Sequence, residues 1–109
     1  MDSFQQLTLY IHKMVTDERL KPVHLSLSMA LCHSWIESQF ERRYRVSRKR
    51  LMIASHIRSK ATYHKAIKEL QQLGYLKYSP SYHPLKGSQI TILIDAKPME
   101  NPVKQNLRQ

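Results

Sequence analysis

The 109-residue sequence contains a single cysteine and two glycines, and each scarcity excludes something. Cys32 alone cannot form a disulfide within the chain, and its lone thiol fits a reducing compartment. No cysteine pair exists, and His12, His24, His33, His56, His64 and His83 show no two-ligand spacing, so no metal site is expected. So little glycine leaves no internal flexible linker and no glycine-rich loop to cradle a phosphate. Long apolar runs are also missing. Leu51-Met52-Ile53-Ala54 and Ile92-Leu93-Ile94 fall far short of the ~20 residues that cross a bilayer. Met1-Asp2-Ser3 has no basic start before an apolar core, so no secretory signal is read. A cytoplasmic protein without membrane contact is the expectation. Acidic residues are few and scattered: Asp2, Asp17, Glu18, Glu37, Glu41, Glu69, Asp95 and Glu100. They form no cluster for magnesium or acid–base work, so no cofactor is implied and the chain does not read as an enzyme.

Cations and a modest apolar fraction are what the sequence does have. Apolar residues make up 41%, enough for one core, and this length suits one domain. Eighteen Lys and Arg against eight acids give a formal charge of +10, which attracts polyanions.

Periodicity divides the chain into seven elements. Phe4, Leu7, Ile11 and Met14 recur at spacings of three and four, predicting a helix over about 3–15 with Ser3 as its cap. Pro22 marks residues 20–23 as a connection. Ser26 then reads as the cap of a central helix reaching about Arg43. That helix has two apolar stripes: Leu27, Ala30, Leu31 and Trp35 on one side, Met29, Cys32, Ile36 and Phe40 on the other. Tyr44–Val46 is short and β-prone. Ser47 caps a third helix from Arg48 to about Ser55, with Leu51, Ile53 and Ala54 available for burial. After a turn at His56-Ile57-Arg58, Ser59 caps a fourth helix, Lys60 to Leu73, with Tyr63, Ala66, Ile67, Leu70 and Leu73 inward. Gly74 can end it in a left-handed conformation. Alternation over Tyr75–Ser79 and Ser88–Ile94 predicts two strands joined by the loop Pro80–Gly87. The fold class is therefore mainly α with a small β-hairpin. Residues 1–95 form the domain, and 96–109 read as a flexible polar tail.

The charge is concentrated. Arg42, Arg43, Arg45, Arg48, Lys49, Arg50, Arg58, Lys60, Lys65 and Lys68 fall within 27 residues that hold no acid. Solvated faces usually mix signs, because like charges at helical spacing destabilise. A polyanion relieves that repulsion and gains counterion release. On the fourth helix the outward residues are Lys60, Ala61, His64, Lys65 and Lys68. Small Ala61 permits close approach to base edges, and His64 can donate to a guanine acceptor. Thr62, Lys65 and Lys68 suit phosphates, as do Ser59 and the free amides of the first turn. Ser47, Arg48, Lys49, Arg50 and Arg58 are placed on the flanking backbone. In the hairpin loop, Tyr82, His83 and Lys86 are candidates for further DNA contacts.

Two short helices joined by a tight turn and followed by a hairpin describe a helix-turn-helix with a wing. Ser59, Thr62, Tyr63, Ile67, Leu70 and Gly74, running into Tyr75-Leu76-Lys77, resemble the recognition helix of the winged-helix DNA-binding proteins. The text Ser-Lys-Ala-Thr-Tyr-His-Lys is similar to that of small winged-helix proteins of bacterial mobile elements and replication modules. The resemblance covers about 26–94. Tyr63 departs from it, being bulkier than the usual Val or Ile, so its hydroxyl is expected to reach a partner or the helix edge. The resemblance implies a winged helix-turn-helix with an extra N-terminal helix, binding double-stranded DNA sequence-specifically with helix 60–73 in the major groove. Transcriptional regulation is the leading expectation. An accessory factor in replication or mobile-element excision, an RNA-binding domain and a protein-interaction winged helix are the alternatives. Paired half-sites would need two copies, and the stripe Phe4, Leu7, Ile11, Met14 offers a homodimer contact through the N-terminal helix.

Overall fold

The computed structural model describes residues 2–81 and 87–94. Four helices and three strands follow one another as α1 (Ser3–Val15), α2 (Pro22–Glu37), β1 (Arg43–Val46), α3 (Arg48–Ser55), α4 (Lys60–Gln72), β2 (Leu76–Ser79) and β3 (Ser88–Ile92). The molecule is mainly helical, with one small antiparallel sheet. The strand order is β1-β3-β2, so β1 joins the expected hairpin as a third strand. Tyr44 lies opposite Ile90, and Ile90 opposite Tyr78, which sets these three on one face. Arg43, Thr91 and Lys77 share the other face, as the period of two requires. Ile90 and Ile92 are fully buried beside Leu76, so the inner face of the sheet closes the core. Tyr82, His83 and Lys86 and the proposed tail lie outside the described residues.

Each helix starts at a cap. The Asp2 carboxylate accepts from the Gln5 amide at 2.8 Å, so the cap of α1 is Asp2 and Ser3 is its first residue. In α2 the expected start is displaced. Pro22 occupies the first turn, where a missing N–H costs nothing, and Ser26 sits inside the helix with its hydroxyl donating to the Ser55 carbonyl. The Lys21 amide donates to His24 Nδ1 at 2.8 Å, which caps the helix from within. The helix ends at Glu37, well before Arg43, because Gln39 and Phe40 both take positive φ values of 61° and 64°. Ser47 and Ser59 accept from the Arg50 and Thr62 amides and cap α3 and α4 as expected.

The core corrects three of the apolar stripes. On α1 the buried side chains are Tyr10 and Met14, while Phe4 and Ile11 face solvent. On α2 the first stripe is buried, but Met29 and Ile36 of the second are exposed. On α3 only Leu51 of the three apolar candidates is buried, because an eight-residue helix presents a narrow arc to its neighbours. α1 is tied to the rest through aromatic groups. The Tyr10 hydroxyl donates to the Tyr75 carbonyl at 2.7 Å, and its ring meets Trp35 and Tyr75 edge-on at 5.9 and 6.0 Å. The Tyr75 hydroxyl donates to Asp17 Oδ2 at 2.6 Å, joining the end of α1 to the start of β2. Tyr75 itself precedes β2, and β3 stops at Ile92, each strand shorter than its alternation suggests.

Gly87 enters β3 with φ +67°, and a Cβ there would lie 2.6 Å from the Val46 carbonyl oxygen. Gly87→Ala therefore pushes β3 away from β1. A loss of about 1–3 kcal/mol in urea unfolding is expected.

Asp17 supplies a pH test. The Arg19 guanidinium holds its carboxyl well below the usual carboxylate range, with the Tyr75 hydroxyl assisting. A depressed folded value means the unfolded chain takes up the proton first, so this stabilisation is complete at neutral pH. It drains away as the pH falls below about 4 and on through the folded value. Asp17→Asn is expected to lower the thermal midpoint at neutral pH and to flatten its acid decline, measured by circular dichroism across that range.

Candidate nucleic-acid interface

α4 has two unlike sides. Tyr63 and Leu70 are fully buried, and Ala66 and Ile67 nearly so. Lys60, Ala61, His64, Lys65 and Lys68 are all exposed, as is Thr62. At 3.6 residues per turn those five outward residues span about 140° of arc, with Thr62 off one edge. The helix is held by a Ser59 cap at its start and by Gly74, at φ +88°, just past its end. The turn before it is anchored by Ile57, buried between two exposed neighbours, His56 and Arg58. His56 closes α3 in the left-handed region at φ 63°. That bend lets α3 and α4 share a groove.

This groove, about 770 Å³, is lined by Arg48, Lys49, Met52, Ile53, His56, Ile57, Arg58 and Lys60. Its lining holds four cations and no acid. Lys60 belongs both to the groove and to the outward face of α4, so the two cationic surfaces are continuous. Not all of the predicted residues join them. Ser47 and Arg50 line a second cleft of about 370 Å³ together with Arg45, His33 and Glu37. Arg43 lies on the outer face of the sheet, where its Nε donates to Gln89 Oε1 at 2.9 Å. The sequence cluster of cations is thus spread over three surfaces. Arg48, Lys49, Arg58, Lys60, Lys65 and Lys68 define the largest. Ser47 and Ser59 already serve as helix caps, and Ser59 stands at the exposed N-terminus of α4.

The ion pairs among the described residues are Arg19–Asp17, His24–Glu69 and His33–Glu37, and none engages those six cations. Glu41 and Glu69 stand immediately outside the cationic stretch, and Glu69 is tied down. Its carboxylate meets Nε2 of buried His24 at 2.7 Å, and that contact lowers its proton affinity. Because Nδ1 of His24 accepts from the Lys21 amide, Nε2 carries the proton and donates to Glu69. Sequence spacing shows neither the His24–Glu69 bond, 45 residues apart, nor the groove across the turn. Ile53, expected to be available for burial, is exposed and lines the groove instead.

No group of three or more potential metal ligands occurs among the described residues. Cys32 is buried, and burial pushes its thiol up to about 11, away from nucleophilic reactivity. No helix among the described residues is long and apolar enough to cross a membrane. No family model, curated protein or solved structure matches the chain.

The expectation for Tyr63 is overturned. Its hydroxyl is buried and has no hydrogen-bond partner among the described residues, because the ring points into the core beneath α4. Burial pushes the phenol well above its ordinary range, so it stays protonated and unpaired. Removing an unsatisfied buried hydroxyl relieves a desolvation cost. Tyr63→Phe is therefore expected to leave the fold at least as stable, by up to about 1 kcal/mol in chemical denaturation.

Proposed function

We propose that the chain is a winged-helix, sequence-specific DNA-binding protein that regulates transcription by occupying its site. In this reading α3 and α4 form the helix-turn-helix, and α4 enters the major groove, whose ~12 Å width accepts a helix. Ala61 and His64 face base edges. Lys65 and Lys68 take phosphates beside the helix, with Thr62 at its edge. Ser59 and the first-turn amides of α4 take another. Arg48, Lys49 and Arg58 hold the flanking backbone. The loop between β2 and β3 is the wing. Arg50 and Ser47, facing the second cleft, drop out of the direct contacts.

One observation carries the reading. A continuous surface with five exposed cations and half-buried Arg48, none in an ion pair among the described residues, is backed by a buried seam on the same helix. Such a surface gains most from a polyanion of fixed shape. The shape of α4 suits a duplex groove better than it suits a single strand, since no exposed Phe, Tyr or Trp accompanies the cations among the described residues.

Fluorescence anisotropy with duplexes selected from a random pool tests it. If about five phosphates are neutralised, log affinity falls with log salt at a slope near −4.5. Lys65→Ala is expected to weaken all duplexes alike and to reduce that slope by about one. His64→Ala changes which sequences are preferred. Tighter binding to structured RNA than to duplex DNA at equal salt overturns the proposal, and so does a pool that shows no sequence preference.

A further inference from the structure

Phe4, Ile11 and Val15 are exposed on α1 by 75%, 41% and 69%. With Thr8 they occupy positions 4, 8, 11 and 15. Spacings of four, three and four bring a helix back to the same line, so these four side chains fall within about 60° of arc. Thr8 does not interrupt the line with an unmet polar group, since its hydroxyl donates to the Phe4 carbonyl at 2.8 Å. Tyr10 and Met14 bury a neighbouring strip of the same helix, so α1 is fixed in place with its second strip uncovered.

Charge identifies what covers it. Neither the line nor its flanking residues Gln5, Leu7, His12 and Met14 include a Lys, Arg, Asp or Glu. Two copies of a chain carrying +10 each repel over most approaches, and an uncharged strip is where they can meet. The line is also self-complementary when reversed. Set antiparallel about a two-fold axis, Phe4 meets the partner's Val15 and Thr8 meets the partner's Ile11, a large side chain against a smaller one at every step. A parallel pairing sets Phe4 on Phe4 and Val15 on Val15, which leaves one end crowded and the other thin. An apolar hollow of about 340 Å³, lined by Phe4, Gln5, Thr8 and Leu9, lies beside the place where the antiparallel register sets the partner's Ile11 and Val15.

We propose that the chain forms a two-fold dimer through an antiparallel pairing of α1 helices along Phe4, Thr8, Ile11 and Val15. This replaces the stripe that includes Leu7 and Met14, because Met14 belongs to the protein's own core. A helix about 20 Å long offers less than the ~800 Å² per partner of a standard interface. The dimer is accordingly a micromolar one. It does not rest on the DNA reading, since it is measured without DNA.

Sedimentation equilibrium of the full chain from about 1 to about 200 µM is the test. A mass rising toward twice that of the chain is expected. Phe4→Glu and Ile11→Glu should each weaken association by about 30-fold or more, with unchanged far-UV circular dichroism and thermal midpoint. The register is read by cysteine cross-linking with copper-phenanthroline, to which buried Cys32 stays unreactive. A mixture of Thr8→Cys and Ile11→Cys chains should cross-link to each other, and Thr8→Cys alone should not. A monomer throughout the range overturns the proposal. So does a dimer indifferent to both glutamates, or one cross-linked by Thr8→Cys alone.

Discussion

Like-charge repulsion on one side of α4 is outweighed by apolar burial on the other, and the arrangement of the whole domain follows from that balance. Lys65 and Lys68 repel each other at i, i+3 spacing, at a cost of a few tenths of a kcal/mol, and Lys60 adds its charge to the same face. Burying Tyr63, Ile67 and Leu70 returns roughly 1.5–3 kcal/mol for each side chain. Burial therefore wins by about an order of magnitude, and the helix stays formed with its cations held outward. The surface is left with unspent electrostatic energy that a charged partner can release. The same logic governs α3, where Leu51 is buried while Arg48 and Lys49 border the groove.

Aromatic side chains extend that core to α1. Tyr10, Trp35 and Tyr75 meet edge-on, and each tyrosine hydroxyl finds an oxygen on a distant segment. These bonds span 65 and 58 residues, so α1 is an integral layer of the domain. Fixing the helix also fixes the direction in which Phe4, Ile11 and Val15 project. A loosely attached helix would turn those side chains toward its own domain. This one cannot.

Local signals made the helices legible. Ser47 and Ser59 cap where the sequence indicates, and α4 buries Tyr63, Ala66, Ile67 and Leu70 as its spacing requires. The exposed residues of α4 were legible for the same reason, since a strong inward stripe fixes the opposite face. Errors arise where several faces compete for one core. On α1 the apolar arc is wider than the neighbouring elements can cover, so periodicity alone could not choose Tyr10 over Phe4 or Ile11. On α2 the start depended on whether Pro22 breaks a helix or opens one, and only the context of the preceding chain decides that. The pairing of β1 with β3, 45 residues apart, is a long-range match that no local pattern specifies.

The placement of Glu69 shows how an acid beside the cationic stretch is held in one position. A free carboxylate there, four residues after Lys65, would pair with that lysine and lower the local potential. His24 instead engages the carboxylate at 2.7 Å, with its own tautomer set by the Lys21 amide. One buried imidazole thus joins the start of α2 to the end of α4 and fixes the carboxylate that adjoins Lys68 in sequence. Structural and electrostatic roles meet at that contact: the bond packs α4 onto α2, and the Glu69 carboxylate it holds also feels the charge of Lys65 without forming an ion pair with it. A surface rich in lysine but laced with free acids would share the composition of this one without its field.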